Sequence, residues 1–141
     1  QTVTGVQTCA LPISLKLYLR NDLLKQHTVM RMLTEPIESI KQRAKFTVDQ
    51  LNAEHVRIYD IDIKQSTGQF GSGALPLESI DSFAIVLKSP TLSADELMKL
   101  LRSGEPPIVG YIQDGCVWLD MRTLGEDHVS DVVQVLNGLP V

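Results

Sequence analysis

The stretch IVGYIQDGCVWLDM, residues Ile108–Met121, decides the fold. Two apolar-rich runs flank Asp114-Gly115, and that dipeptide suits the positive-φ pair that a two-residue hairpin turn requires. The spacing predicts antiparallel strands over Ile108–Gln113 and Cys116–Met121. Upstream, SFAIVLK (Ser82–Lys88) is apolar on both faces and reads as a central strand. Val56 and Ile58 alternate with polar positions, as do Ile61 and Ile63, but the two sets are out of phase. One strand with a bulge near Tyr59–Asp60 reconciles them. A loop rich in Gly, Ser and Pro, Gln65 to Ser79, is expected before the central strand.

Helical periods surround these strands. Leu15, Leu17, Tyr18, Leu19, Leu23 and Leu24 recur at helical spacing. Ile37, Ile40, Ala44, Val48 and Leu51 give a second helix from about Pro36 to Leu51, with Thr34 as its N-cap. Lys41, Arg43 and Lys45 are expected on its solvated side. Ser93-Ala-Asp-Glu96 is a capping box that opens a third helix through Leu101, stopped by Gly104. A last helix is expected from Glu126 to Leu136, ending at Gly138. The order is helix, helix, strand, strand, helix, hairpin, helix. It predicts an α+β fold: a small, mostly antiparallel sheet with helices packed on one face.

The chain of 141 residues, 43% hydrophobic and 21% charged, is long enough for one domain with a core. A net charge of −4 excludes the broad basic surface that drives electrostatic nucleic-acid binding. No apolar run reaches the length that spans a bilayer. Residues 1–14, QTVTGVQTCALPIS, carry no charge and lack the basic and apolar regions of a secretory signal. Val3–Ile13 is identical at all eleven positions to the translation of a common short-read sequencing adapter. The segment 1–14 is therefore expected to be an assembly scar, leaving residues 15–141 as the native part. That part has one cysteine, Cys116, which fits a reducing, cytoplasmic compartment.

Candidate chemistry is sparse. The loop Gly68-Gln-Phe-Gly71-Ser72-Gly73-Ala-Leu-Pro76 has the glycines that let a backbone approach a ligand. Pro76 and Leu77 follow it, however, where a phosphate loop requires a helix, so a structural turn is the competing reading. His27, His55 and His128 have no metal-ligand spacing, and Asp60 with Asp62 lacks a third ligand. Arg122, beside the sheet, has the forked guanidinium that binds a carboxylate or phosphate; an ordinary ion pair with Asp120 or Glu126 is the alternative.

Three segments together resemble the C-terminal part of bacterial selenocysteine synthase, the L-seryl-tRNA(Sec) selenium transferase family. They are GSGALPLESIDSFAIVL (Gly71–Leu87), SADELMKLLRSGEPPIVGYIQDGCVWLDMRTL (Ser93–Leu124), and the pair of helices in LKLYL and MLTEPIESIKQRA. The resemblance implies the C-terminal small domain of a fold-type-I enzyme that uses pyridoxal 5′-phosphate. The missing upstream part would hold the cofactor and its lysine. The intact enzyme would form a ring of dimers and convert seryl-tRNA(Sec) with selenophosphate. The resemblance makes Arg122, Gly71, Ser72 and Gly73 the substrate-binding candidates, with no catalytic, cofactor-binding or metal-ligating residue here. It implies a chain inactive by itself. Tyr111 and Cys116 stand where the family pattern has arginines. The Tyr111 departure keeps a related lyase of the same scaffold, an ammonia-lyase or carbon–sulfur lyase, as the alternative. A stand-alone binding module is the third reading.

Overall fold

The computed structural model describes residues 28–69 and 79–141. The chain divides into two compact units, residues 1–35 and 36–141. In the first, helix α1 spans Thr28–Thr34. Its surface carries an Arg31–Glu35 ion pair at 3.1 Å, one turn apart. The expected helix over Leu15–Leu24 lies outside the described residues.

The second unit runs α2 (Ile37–Asp49), α3 (Ala53–Ile58), β1 (Asp62–Gln69), β2 (Ser79–Leu87), α4 (Ala94–Arg102), β3 (Tyr111–Gln113), β4 (Cys116–Asp120) and α5 (Val129–Asn137). A 3₁₀ turn, Glu126–His128, leads into α5. The four strands form an antiparallel sheet in the order β1-β2-β4-β3. β2 is central, as its two apolar faces require. Gln113 pairs with Cys116 across the turn. Asp114 and Gly115 both have positive φ, 52° and 72°, so the hairpin closes on two residues as expected.

The register sorts side chains by face. Ile85 and Leu87 of β2 pair with Leu119 and Val117 of β4, and these four point into the main core. There they meet Ile40 and Ala44 of α2, Leu97 and Leu101 of α4, and Val132 and Leu136 of α5. Burying each large aliphatic side chain contributes about 1.5–3 kcal/mol. The opposite face carries a smaller cluster, Ala84, Val86 and Trp118, with Cys116 against it and no helix of the described residues over it.

Several local expectations are corrected. Val56 and Ile58 lie in a short helix, α3, not in a strand. Asp60, with φ of 44°, turns the chain out of α3, and the strand starts only at Asp62. The out-of-phase apolar pairs thus mark a helix-to-strand change rather than a bulge. Asp60 and Asp62 consequently do not share a strand face. The expected loop at Gln65 is strand as far as Gln69. Pro36, not Thr34, caps α2, while the Thr34 hydroxyl donates to Met30 O at 2.7 Å. Arg43 is buried rather than solvated, because Met121 O offers its Nη2 an acceptor at 2.6 Å. The capping box forms as expected: Glu96 N donates to Ser93 Oγ at 3.2 Å and Ser93 N to Glu96 Oε2 at 2.8 Å.

Candidate functional site

Residues of both edge strands line hollows beside the Trp118 cluster. β1 and β3 are opposite edges, yet Thr67 and Gly68 of β1 line one hollow with Gly110, Tyr111, Asp120 and Thr123. Its volume is about 450 Å³. An adjoining hollow of about 360 Å³ is lined by Gln65, Ser66, Thr67, Tyr111, Gln113 and Trp118. The two share Thr67 and Tyr111 and form one shallow trough.

The hairpin register builds its wall. Tyr111 sits opposite Trp118, and their rings stack with centroids 5.9 Å apart and planes 20° off parallel. Trp118 Nε1 donates to Gln113 O at 3.0 Å, fixing the indole. Gly110 is there because nothing larger fits: a Cβ would lie 2.3 Å from Trp118 O.

Asp120 organises the floor. Its Oδ1 accepts from Ser82 Oγ at 2.5 Å and from Arg122 N at 2.9 Å. Its carbonyl accepts from Thr123 Oγ1 at 2.9 Å and Leu124 N at 3.1 Å, closing the turn after β4. The Tyr111 phenol is held above its usual range, first by burial and then by the nearby Asp120 charge; the Ser66 hydroxyl works the other way.

Arg122 is 3% exposed, and its Nη2 donates to Asp81 O at 2.5 Å. It therefore ties the turn after β4 to β2 and lines neither hollow. Gly71, Ser72 and Gly73 lie outside the described residues. Cys116 is a half-buried thiol packed against the Trp118 cluster. His55 is buried, its Nε2 2.9 Å from Leu139 O, and His128 lies on the surface 3.8 Å from Asp131. No group of metal-ligating side chains gathers among the described residues. No helix among them is long and apolar enough to cross a membrane.

The sequence motifs matched onto this frame are those of one family. The family model described as L-seryl-tRNA selenium transferase matches residues 2–125. The chain belongs to the L-seryl-tRNA selenium transferase family. The matched range includes most of the uncharged segment 1–14. The L-seryl-tRNA(Sec) selenium transferase of Alkaliphilus oremlandii is 33% identical over 136 residues, covering 96% of this chain and 29% of the relative. That of Alkaliphilus metalliredigens is 35% identical over 137 residues, 95% of this chain and 29% of the relative. That of Carboxydothermus hydrogenoformans is 33% identical over 128 residues. The chain thus spans less than a third of the length of these curated relatives.

The trough was only partly legible. The Asp114-Gly115 turn fixes the pairing of Tyr111 with Trp118, so that half follows from sequence. Ser66, Ser82 and Asp120 carried no signal, because their meeting depends on the register of β1 and β4 against β2.

Proposed function

We propose that this chain is the C-terminal small domain of an L-seryl-tRNA(Sec) selenium transferase, which converts seryl-tRNA(Sec) to selenocysteinyl-tRNA(Sec) with selenophosphate. The family match over residues 2–125, with relatives of that name aligned across most of the chain, carries this reading. In it, residues 15–141 are the native domain. The catalytic apparatus belongs to the part of the enzyme that the matched relatives carry beyond this third of their length. The whole enzyme is proposed to be a cytoplasmic homo-oligomer.

Pyridoxal 5′-phosphate would supply the electron sink for exchange at the serine β-carbon. The described residues do not fit that cofactor. Its aldehyde needs a sheltered lysine and its phosphate a cradle of donors. Lys45, Lys64, Lys88 and Lys99 are exposed, and Lys41 sits over the Phe83 ring at 5.5 Å. No lysine or arginine among the described residues lines the trough. The proposed role of this domain is accordingly to shape and close a site held elsewhere. Gly71, Ser72 and Gly73 are the proposed substrate-facing segment. Arg122 acts as a positioning residue: by holding Asp81 O it fixes the β2 end into which that segment runs.

The test uses the complete coding sequence and this chain side by side. The complete enzyme should load selenium onto seryl-tRNA(Sec), and this chain should neither do so nor retain pyridoxal 5′-phosphate after borohydride reduction. A reducible adduct at one specific lysine of this chain would overturn the division of labour. Turnover of free serine in preference to seryl-tRNA(Sec) by the complete enzyme would favour the lyase.

A further inference from the structure

The trough has an unspent set of acceptors. Asp120 commits Oδ1 to Ser82 and Arg122, while its Oδ2 takes no hydrogen bond from any described residue. Ser66 is 7% exposed and lines the trough; its Oγ approaches the Tyr111 phenol but completes no hydrogen bond of good geometry. A buried hydroxyl without a well-formed hydrogen bond is costly, and a ligand donor would recover that cost. Tyr111 and Thr123, both with hydroxyl side chains, line the same space. One wall is the Tyr111–Trp118 pair, whose ring faces attract cations. Among the described residues the lining holds one carboxylate and no lysine, arginine or histidine. Arg122, the nearest guanidinium in sequence, is turned to Asp81 O. This chemistry rejects phosphates and other anions.

We propose that the trough across the helix-free face binds an organic cation carrying N–H donors, a primary ammonium or guanidinium group, with Asp120 as counter-charge and Ser66 and Tyr111 as further acceptors. The cation comes either from a small amine or from a lysine or arginine side chain of a protein segment. The inference is independent of the proposed transferase activity.

Trp118 is the sole tryptophan in the sequence, so its fluorescence reads this trough alone. The whole chain is titrated with ethylammonium chloride and with acetyl-Gly-Lys-Gly-amide, against sodium chloride and tetramethylammonium chloride at matched ionic strength. The two N–H donors should give a saturable change, sodium chloride none, and tetramethylammonium, held by charge and ring faces alone, a response at least tenfold weaker. Tenfold tighter binding of the peptide assigns the cation to a protein side chain; comparable binding assigns it to a small amine. Asp120→Asn keeps Oδ1 for Ser82 and Arg122 while removing the charge, and should weaken binding at least tenfold. Ser66→Ala, which keeps the ladder intact, should weaken it severalfold and serves as the test if Asp120→Asn fails to fold. Equal responses to ethylammonium and tetramethylammonium, or undiminished binding in a folded Asp120→Asn or in Ser66→Ala, would overturn the proposal.

Discussion

Replacing Gly110 by alanine tests the packing that sets the trough. A Cβ at Gly110 would lie 2.3 Å from Trp118 O, 2.8 Å from Leu119 Cδ2 and 3.2 Å from Trp118 C. The nearest atom is backbone of β4, so no rotamer change can relieve the overlap. Carbon and oxygen rarely approach closer than about 3.0 Å without covalent or hydrogen bonding, so the chain at Gly110 must retreat by roughly 0.7 Å. That retreat loosens the start of β3 and opens the packing around Leu119, which is fully buried. Overpacking of this kind costs about 1–3 kcal/mol, and the rigid obstacle places Gly110→Ala toward the upper end. For a domain of this size, about 2 kcal/mol lowers Tm by roughly 8–16 °C. Urea unfolding followed by Trp118 emission gives the measurement directly. Gly138→Ala is the internal control: its Cβ would lie 3.4 Å from Gln134 O, an ordinary contact, and its φ of −88° suits alanine. It should stay within about 0.5 kcal/mol of the parent. A Gly110→Ala protein as stable as Gly138→Ala would refute the close-approach account.

Other substitutions read different parts of the structure. Ser93→Ala removes the capping box of α4 and should cost about 1 kcal/mol in urea unfolding. Glu96 is held below the usual glutamate range, chiefly by its backbone and side-chain bonds with Ser93. Its contribution is present at neutral pH and lost as pH falls through the depressed value, so Ser93→Ala should flatten the acid limb of the stability profile. Tyr111 and Tyr59 are both raised, so each favours the folded state below pH 10 and loses that contribution as pH climbs through its folded value. Absorbance at 295 nm should show Asp120→Asn lowering the Tyr111 transition and sparing that of Tyr59. Leu101→Ala, at a position of zero exposure, should cost about 2–5 kcal/mol by the same unfolding assay.

What the sequence disclosed follows from the range of the forces involved. The capping box, the Asp114-Gly115 turn and the two-faced apolar run of β2 are local signals, and each element formed, though the first hairpin strand starts at Tyr111 rather than Ile108 and β2 runs Ser79–Leu87 rather than Ser82–Lys88. The fold class followed from their order. Val56 and Ile58 misled because α3 is too short for helical periodicity to show. Arg43 misled because a cation on a helix reads as solvated until a carbonyl from Met121, 78 residues away, is brought beside it. The trough depends on the pairing of all four strands, which no single segment encodes. The family resemblance carried the functional reading, since the chain's own residues hold no recognisable catalytic group.

Helix α3 is tied to the far end of the chain. His55 Nε2 lies 2.9 Å from Leu139 O, the Tyr59 hydroxyl donates to Pro140 O, and Asn52 N donates to Asn137 Oδ1 at 2.8 Å. These bonds span 81 to 85 residues. A ribosome adds residues at about 5–20 per second, N-terminal first. For the several seconds after α3 emerges, its acceptors have not yet been made. α5, which supplies Val132 and Leu136 to the core, arrives just as late. β2 can cover part of the α2 face earlier, but the part that α5 and the C-terminal segment cover waits until translation has passed residue 140. Chaperone engagement of the nascent chain should centre on this interval, and a stall before Leu139 should leave a protease-sensitive species.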